Sequence, residues 1–78
     1  MDVTVDETLD CKGLSCPMPI VKLAKKMKKE MSSGQVLMME GTDPGSKTDV
    51  PKWCDRNNHE FLGMEEEGGV QMFYIRKG

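Results

Sequence analysis

Residues 17–31 carry Ile20, Leu23, Ala24, Met27 and Met31 at intervals of three and four, so that they fall on one side of a helix. Lys22, Lys25, Lys26, Lys28 and Lys29 fall on the other side. A helix with one apolar stripe gains most of its stability by burying that stripe against another element. The next apolar segment, residues 35–40, is short and mostly apolar, and reads as a central strand buried on both faces. Residues 5–9, ahead of the helix, form a shorter strand candidate. A strand, a crossover helix and a second strand in succession imply a right-handed parallel unit.

The remaining chain extends that unit. Pro17 suits a first helical turn, where its missing N–H costs nothing, and Ser32-Ser33-Gly34 ends the helix with Gly34 as its C-terminal cap. Residues 41–46 are rich in turn formers. A second helix is expected from Asp49, with Asp49 as N-cap, Pro51 in the first turn and Val50, Trp53 and Cys54 on one face. Asn57-Asn58 ends it, since asparagine takes the left-handed conformation readily. Residues 59–66 and 70–76 read as strands joined by a hairpin at Glu67-Gly68-Gly69. In the last strand, apolar residues occur in both alternating sets, so alternation does not decide its buried face. The order βαβαββ predicts an α/β fold of the α+β two-layer type: a mixed four-stranded sheet with two helices packed on one face. The other face is expected to be partly covered or solvated, compatible with a monomer or a weak homodimer.

Length and charge set the outer bounds. A chain of 78 residues holds one core, so residues 1–78 are expected to form a single domain. The longest apolar run, Val36-Leu37-Met38-Met39, falls far short of the ~20 residues that span a bilayer. No basic cluster followed by an apolar stretch opens the chain, so no secretory signal or membrane partner is expected and the location is read as cytoplasmic. The net charge of −2 argues against a dedicated nucleic-acid binder, although the lysine cluster gives an overall acidic chain a basic face. Three cysteines, Cys11, Cys16 and Cys54, make a poor disulfide framework, which leaves thiol chemistry or metal binding to consider.

Cys16 has the setting of a reactive thiol. It stands just ahead of Pro17 at a helix N-terminus, where free N–H groups and the helix dipole favour a thiolate. Pro17 and Pro19 stiffen that turn and remove two N–H donors, fixing the direction of Cys16 without adding an acid or base. Gly13 lies in the loop leading to it. Exchange at such a thiol is attack of one sulfur on another, as in thiol–disulfide exchange, and requires no catalytic base. His59 is remote in sequence and gives a Cys-His dyad little support.

The stretch Leu9-Asp10-Cys11-Lys12-Gly13-Leu14-Ser15-Cys16-Pro17-Met18-Pro19 resembles the signature of the TusA/SirA/YedF family, whose hallmark is Cys-Pro-x-Pro opening the first helix. Thr42-Asp43-Pro44, Asp49-Val50-Pro51 with Trp53-Cys54, His59-Glu60 and Ile75-Arg76-Lys77-Gly78 resemble later landmarks in the family's order, so the resemblance covers nearly the whole chain. It implies a two-layer α/β sandwich of βαβαββ order. It also implies a cofactor-free sulfur carrier, a sulfurtransferase, with the persulfide on Cys16. The implied partners are a donor, either a cysteine desulfurase or a rhodanese-like protein, and an acceptor protein. The routes served by such proteins include tRNA thiolation, molybdenum-cofactor biosynthesis and sulfur metabolism.

Each feature also has a plainer reading. Cys16 can be a helix-capping residue of a non-catalytic regulatory or protein- or RNA-binding module. Cys11 reads as a half-buried strand residue, or as a second thiol that resolves the persulfide; many relatives lack it. Cys54 reads as core beside Trp53, and His59 as an exposed strand start. A zinc site from the three cysteines and His59 has unfavourable spacing, so no metal is expected. Lys22, Lys25, Lys26 and Lys29 read as a solvated helix face, or as a docking surface for an acidic partner or RNA near Cys16. The methionines read as core filler, Asp43 as a turn or cap residue, and residues 41–46 lack the Gly-Lys-Ser/Thr ending of a phosphate loop.

Overall fold

The apolar stripe of the first helix is buried against a sheet, as its spacing requires. The computed structural model describes residues 3–78. The order is β1 Glu7–Cys11, α1 Met18–Glu30, β2 Val36–Gly41, α2 Ser46–Arg56, β3 Glu60–Glu67 and β4 Val70–Arg76. The four strands form one sheet in the order β1-β2-β4-β3. β1 runs parallel to β2, pairing Glu7 with Leu37 and Cys11 with Gly41, whereas β4 runs antiparallel to both β2 and β3. Leu23 and Met27 from α1 and Val50 and Cys54 from α2 meet Leu37, Met39, Phe73 and Ile75 of the sheet in one core. The mixed α+β sandwich with both helices on one face is therefore the fold expected from pattern.

Several boundaries differ from the sequence reading. β1 begins at Glu7 rather than at residue 5, because the Asp6 carboxylate accepts the Val36 N–H (2.8 Å) in place of a ladder carbonyl. β2 is displaced by one residue accordingly and ends at Gly41. α1 begins at Met18, one residue beyond Pro17. Its C-cap is the extended Met31, not Gly34. Gly34 takes a positive φ of 89° in the turn that leads on to β2, where Gln35 N–H donates to the Ser32 carbonyl (3.1 Å).

α2 starts at Ser46, three residues before the expected Asp49. Consecutive turn bonds, Ser46 N–H to the Asp43 carbonyl and Asp49 N–H to the Gly45 carbonyl (both 3.0 Å), wind the loop directly into the helix. Asp49 therefore lies in the first turn rather than at the cap, and Pro51 lies inside the helix, where it leaves one carbonyl without its N–H. β3 begins at Glu60, because His59 N–H still donates to the Cys54 carbonyl (2.9 Å) at the helix exit. The Asn57 cap, the left-handed Asn58 and the span of β4 are as read. Gly68 and Gly69, with φ of 58° and 81°, form the two-residue hairpin turn.

Pairing decides what alternation left open. Gln71, Phe73 and Ile75 face the helices, and Met72 and Tyr74 face away. On that outer face Tyr74 is still buried, and its hydroxyl donates to the Glu65 carboxylate (3.2 Å). Among the described residues no helix is long and apolar enough to cross a membrane.

Candidate functional site

Cys16 lies in the turn that precedes α1 and is exposed. Its loop is held from the side by the segment after β2. The Gly13 N–H donates to the Thr42 hydroxyl (2.9 Å), and the Cys16 N–H donates to Asp43 Oδ2 (3.2 Å). Gly13 takes a positive φ of 81°, a conformation that favours glycine, which accounts for its place in the motif. The Cys16-Pro17 peptide bond is cis. Pro17 is the N-cap of α1, and Pro19, in the first turn, is buried.

An open groove of about 380 Å³ runs beside the thiol, lined by Cys16, Pro17, Ile20, Asp49, Lys52, Trp53 and Arg56. α1 supplies its apolar side and α2 its charged side. Local desolvation comes first among the influences on Cys16, then the charge of Asp49 and its acceptance of the thiol hydrogen bond, then the charge of Asp43; together they push the thiol up. This reverses the expectation of a helix-stabilised thiolate. The helix entrance offers few free donors, because Pro17 and Pro19 have no N–H and Met18 N–H donates to the Ser15 carbonyl (2.9 Å). Two carboxylates instead stand close by.

The other cysteines stay apart from this site. Cys11 is not half-buried but fully enclosed in the core, where its thiol donates weakly to the Pro19 carbonyl (Sγ···O 4.0 Å). Burial pushes its thiol up. A resolving role would require that side chain to leave the core, so the second-thiol reading has no support in this arrangement. Cys54 is buried as expected, and desolvation raises its thiol to about 11. Among the described residues no group of three or more His, Cys, Asp and Glu side chains could hold a metal ion. His59 is half-buried rather than exposed. It stacks on Trp53 (centroids 5.0 Å apart), and its Nδ1 accepts the Gly78 N–H (3.0 Å).

The lysines divide into two groups. Lys26, placed by sequence among the docking residues, is largely buried and ion-paired to Glu7 (3.0 Å) and Glu30 (3.2 Å). Its neighbours commit it to tying α1 to β1. Lys22, Lys25, Lys28 and Lys29 are all exposed, and of these Lys22 donates to the Asp10 carbonyl (2.8 Å). Sequence reasoning missed four residues around the thiol: Asp43 and Asp49 as its charged neighbours, and Lys52 and Arg56 as groove lining. The spacing of Asp49, Lys52, Trp53 and Arg56 puts them on one helical face, a signal visible in the chain, but nothing local aims that face at Cys16.

Fold and site together define a small two-layer α+β domain that presents one accessible thiol at the mouth of its first helix. Residues 7–77 match the family described as Sulfurtransferase TusA. The chain is 49% identical to YrkF of Bacillus subtilis over 90% of its length, though it spans only 37% of that protein. It is 43% identical to the sulfur carrier protein TusA of Pseudomonas entomophila, covering 97% of this chain and 94% of that one. The SirA-like protein of Desulfitobacterium hafniense superposes with a TM-score of 0.74 at 24% identity, over 92% of this chain and 97% of that one, and shares the fold. The chain belongs to the TusA family.

Proposed function

We propose that the chain is a sulfurtransferase-class sulfur carrier that accepts sulfane sulfur as a persulfide on Cys16 and relays it to an acceptor protein. One observation carries this reading: Cys16 is the exposed cysteine, set in an open groove that a second protein's thiol can enter, while Cys11 and Cys54 are buried. In loading, Cys16 loses its proton to solvent and its thiolate attacks the outer sulfur of a donor persulfide. A new S–S bond forms at Cys16, the donor S–S bond breaks, and the donor leaves as a thiolate. Delivery repeats the exchange with Cys16 as the leaving thiolate. No net oxidation or reduction occurs and no cofactor takes part.

The donor is a cysteine desulfurase or a rhodanese-like protein. The acceptor serves tRNA thiolation, molybdenum-cofactor biosynthesis or sulfur metabolism, in the cytoplasm, where thiols stay reduced. Docking uses the outer face of α1, where Met18 and Val21 are exposed apolar residues beside Cys16 and Lys25 and Lys29 follow along the helix. An apolar centre with a basic rim suits an acidic protein surface.

The test is intact mass after incubation with a cysteine desulfurase and cysteine. The wild type should gain a reductant-labile sulfur and Cys16→Ala should not. An equal adduct on Cys16→Ala, or none from either a desulfurase or a loaded rhodanese, would turn the reading to a non-catalytic binding module.

A further inference from the structure

The wall of the groove changes sign along its length. Asp49, Lys52, Trp53 and Arg56 project from one face of α2 into the groove that holds Cys16. Asp49 comes first, lining the groove beside Cys16, and its carboxylate is among the influences that push the thiol up. Asp43 approaches from the preceding loop through the Cys16 N–H. Lys52 and Arg56 follow along the helix. Both are exposed, and neither side chain has a hydrogen bond or ion pair among the described residues. Lys12, Lys25, Lys28 and Lys29 are likewise without such a partner, but of these unpaired cations only Lys52 and Arg56 line the groove with Cys16. α1 and its N-cap add only the uncharged Ile20 and Pro17 to the groove.

A persulfide is a stronger acid than a thiol, and its charge sits on the outer sulfur. Loading therefore moves the site of negative charge by one S–S bond, about 2 Å, outward from Sγ. We propose that this wall sorts the two states of Cys16: Asp49 and Asp43 disfavour negative charge on the bare Sγ, and Lys52 and Arg56 hold the negative charge of the outer sulfur. The inference rests on the persulfide reading of Cys16. It makes the unloaded carrier a poor nucleophile toward stray electrophiles and places the charge of the loaded carrier on the atom to be delivered.

Inorganic polysulfide tests this without any partner protein. The Cys16 thiolate takes one sulfur, one S–S bond of the polysulfide breaks as one forms at Cys16, and a polysulfide dianion one sulfur shorter leaves. Alkylation by iodoacetamide, followed by intact mass across a pH series, then gives separate midpoints for bare and loaded protein. Lys52→Met with Arg56→Met should raise the loaded midpoint by roughly half a pH unit or more, and move the bare midpoint less. Asp49→Asn should lower the bare midpoint and leave the loaded one nearer its wild-type value. The single variants Lys52→Met and Arg56→Met should each show part of the loaded shift. Equal shifts in both states, an unmoved loaded midpoint, or failure of Cys16 to load would overturn the proposal. Polysulfide loading without desulfurase loading would instead count against the carrier reading, so the two failures are distinguishable.

Discussion

The backbone N–H of Cys16 donates to the Asp43 carboxylate, N···Oδ2 3.2 Å, across 27 residues of chain. With the Gly13–Thr42 bond, it fastens the thiol-bearing loop to the entrance of α2. Asp43→Ala should free that loop, with faster hydrogen exchange at the Cys16 amide and no change in the core strands. The loss of stability should be about 0.5–1 kcal/mol by urea denaturation, as for one exposed hydrogen bond. Removal of a nearby carboxylate should also speed alkylation of Cys16 at neutral pH.

Thiol accessibility separates the three cysteines. Native protein treated with iodoacetamide should take one adduct, on Cys16, because Cys11 and Cys54 are buried and their thiols are pushed up, that of Cys54 to about 11. In urea all three should react, as the chain contains three cysteines. Peptide mass mapping reads the outcome, and rapid native labelling of Cys11 would reopen its role as a second thiol.

Lys26 and Lys25 should behave differently despite being adjacent. Lys26→Ala breaks the pairs with Glu7 and Glu30 and should cost about 0.5–1 kcal/mol, less at high salt. Lys25→Ala should leave the urea midpoint unchanged. If docking uses the exposed α1 face, Lys25→Ala and Lys29→Ala should instead slow sulfur transfer from the donor protein.

His59 should make stability pH-dependent. Desolvation first, and then the charge of Lys77, lower it from its ordinary value of 6.5, so the fold favours the neutral ring. Its contribution is present above 6.5 and is lost as pH falls through the lowered value, because protonation removes the Nδ1 acceptor for the Gly78 N–H. Between about pH 7.5 and about pH 5.5 the urea midpoint should fall more for wild type than for His59→Gln. Equal slopes would assign the pH dependence to other groups.

The order of elements was legible because hydrophobic periodicity is a local property. The stripe containing Leu23 and Met27 and the run from Val36 to Met39 each encode burial within a few residues. The Gly68-Gly69 turn was legible for the same reason. Boundaries slipped where a side chain or turn took over a backbone partner, as Asp6 does at Val36 and the Asp43 carbonyl does at Ser46. The buried set of β4 was illegible, since both alternating sets are apolar, and only its pairing and the helices above it make the choice.

By itself the sequence determined that a cysteine stands at the mouth of a helix, because Gly13, Cys16, Pro17 and Pro19 act through backbone geometry over a single turn. Tertiary structure alone decided what surrounds that cysteine. Packing α1 and α2 on the same sheet face brings Asp43, Asp49, Lys52 and Arg56 to Cys16, and it draws Cys11 wholly into the core. Electrostatics acts through space rather than along the chain, so a thiol that looks activated by its own helix is pushed up first by local desolvation, then by Asp49 of the next helix and Asp43 of the loop before it.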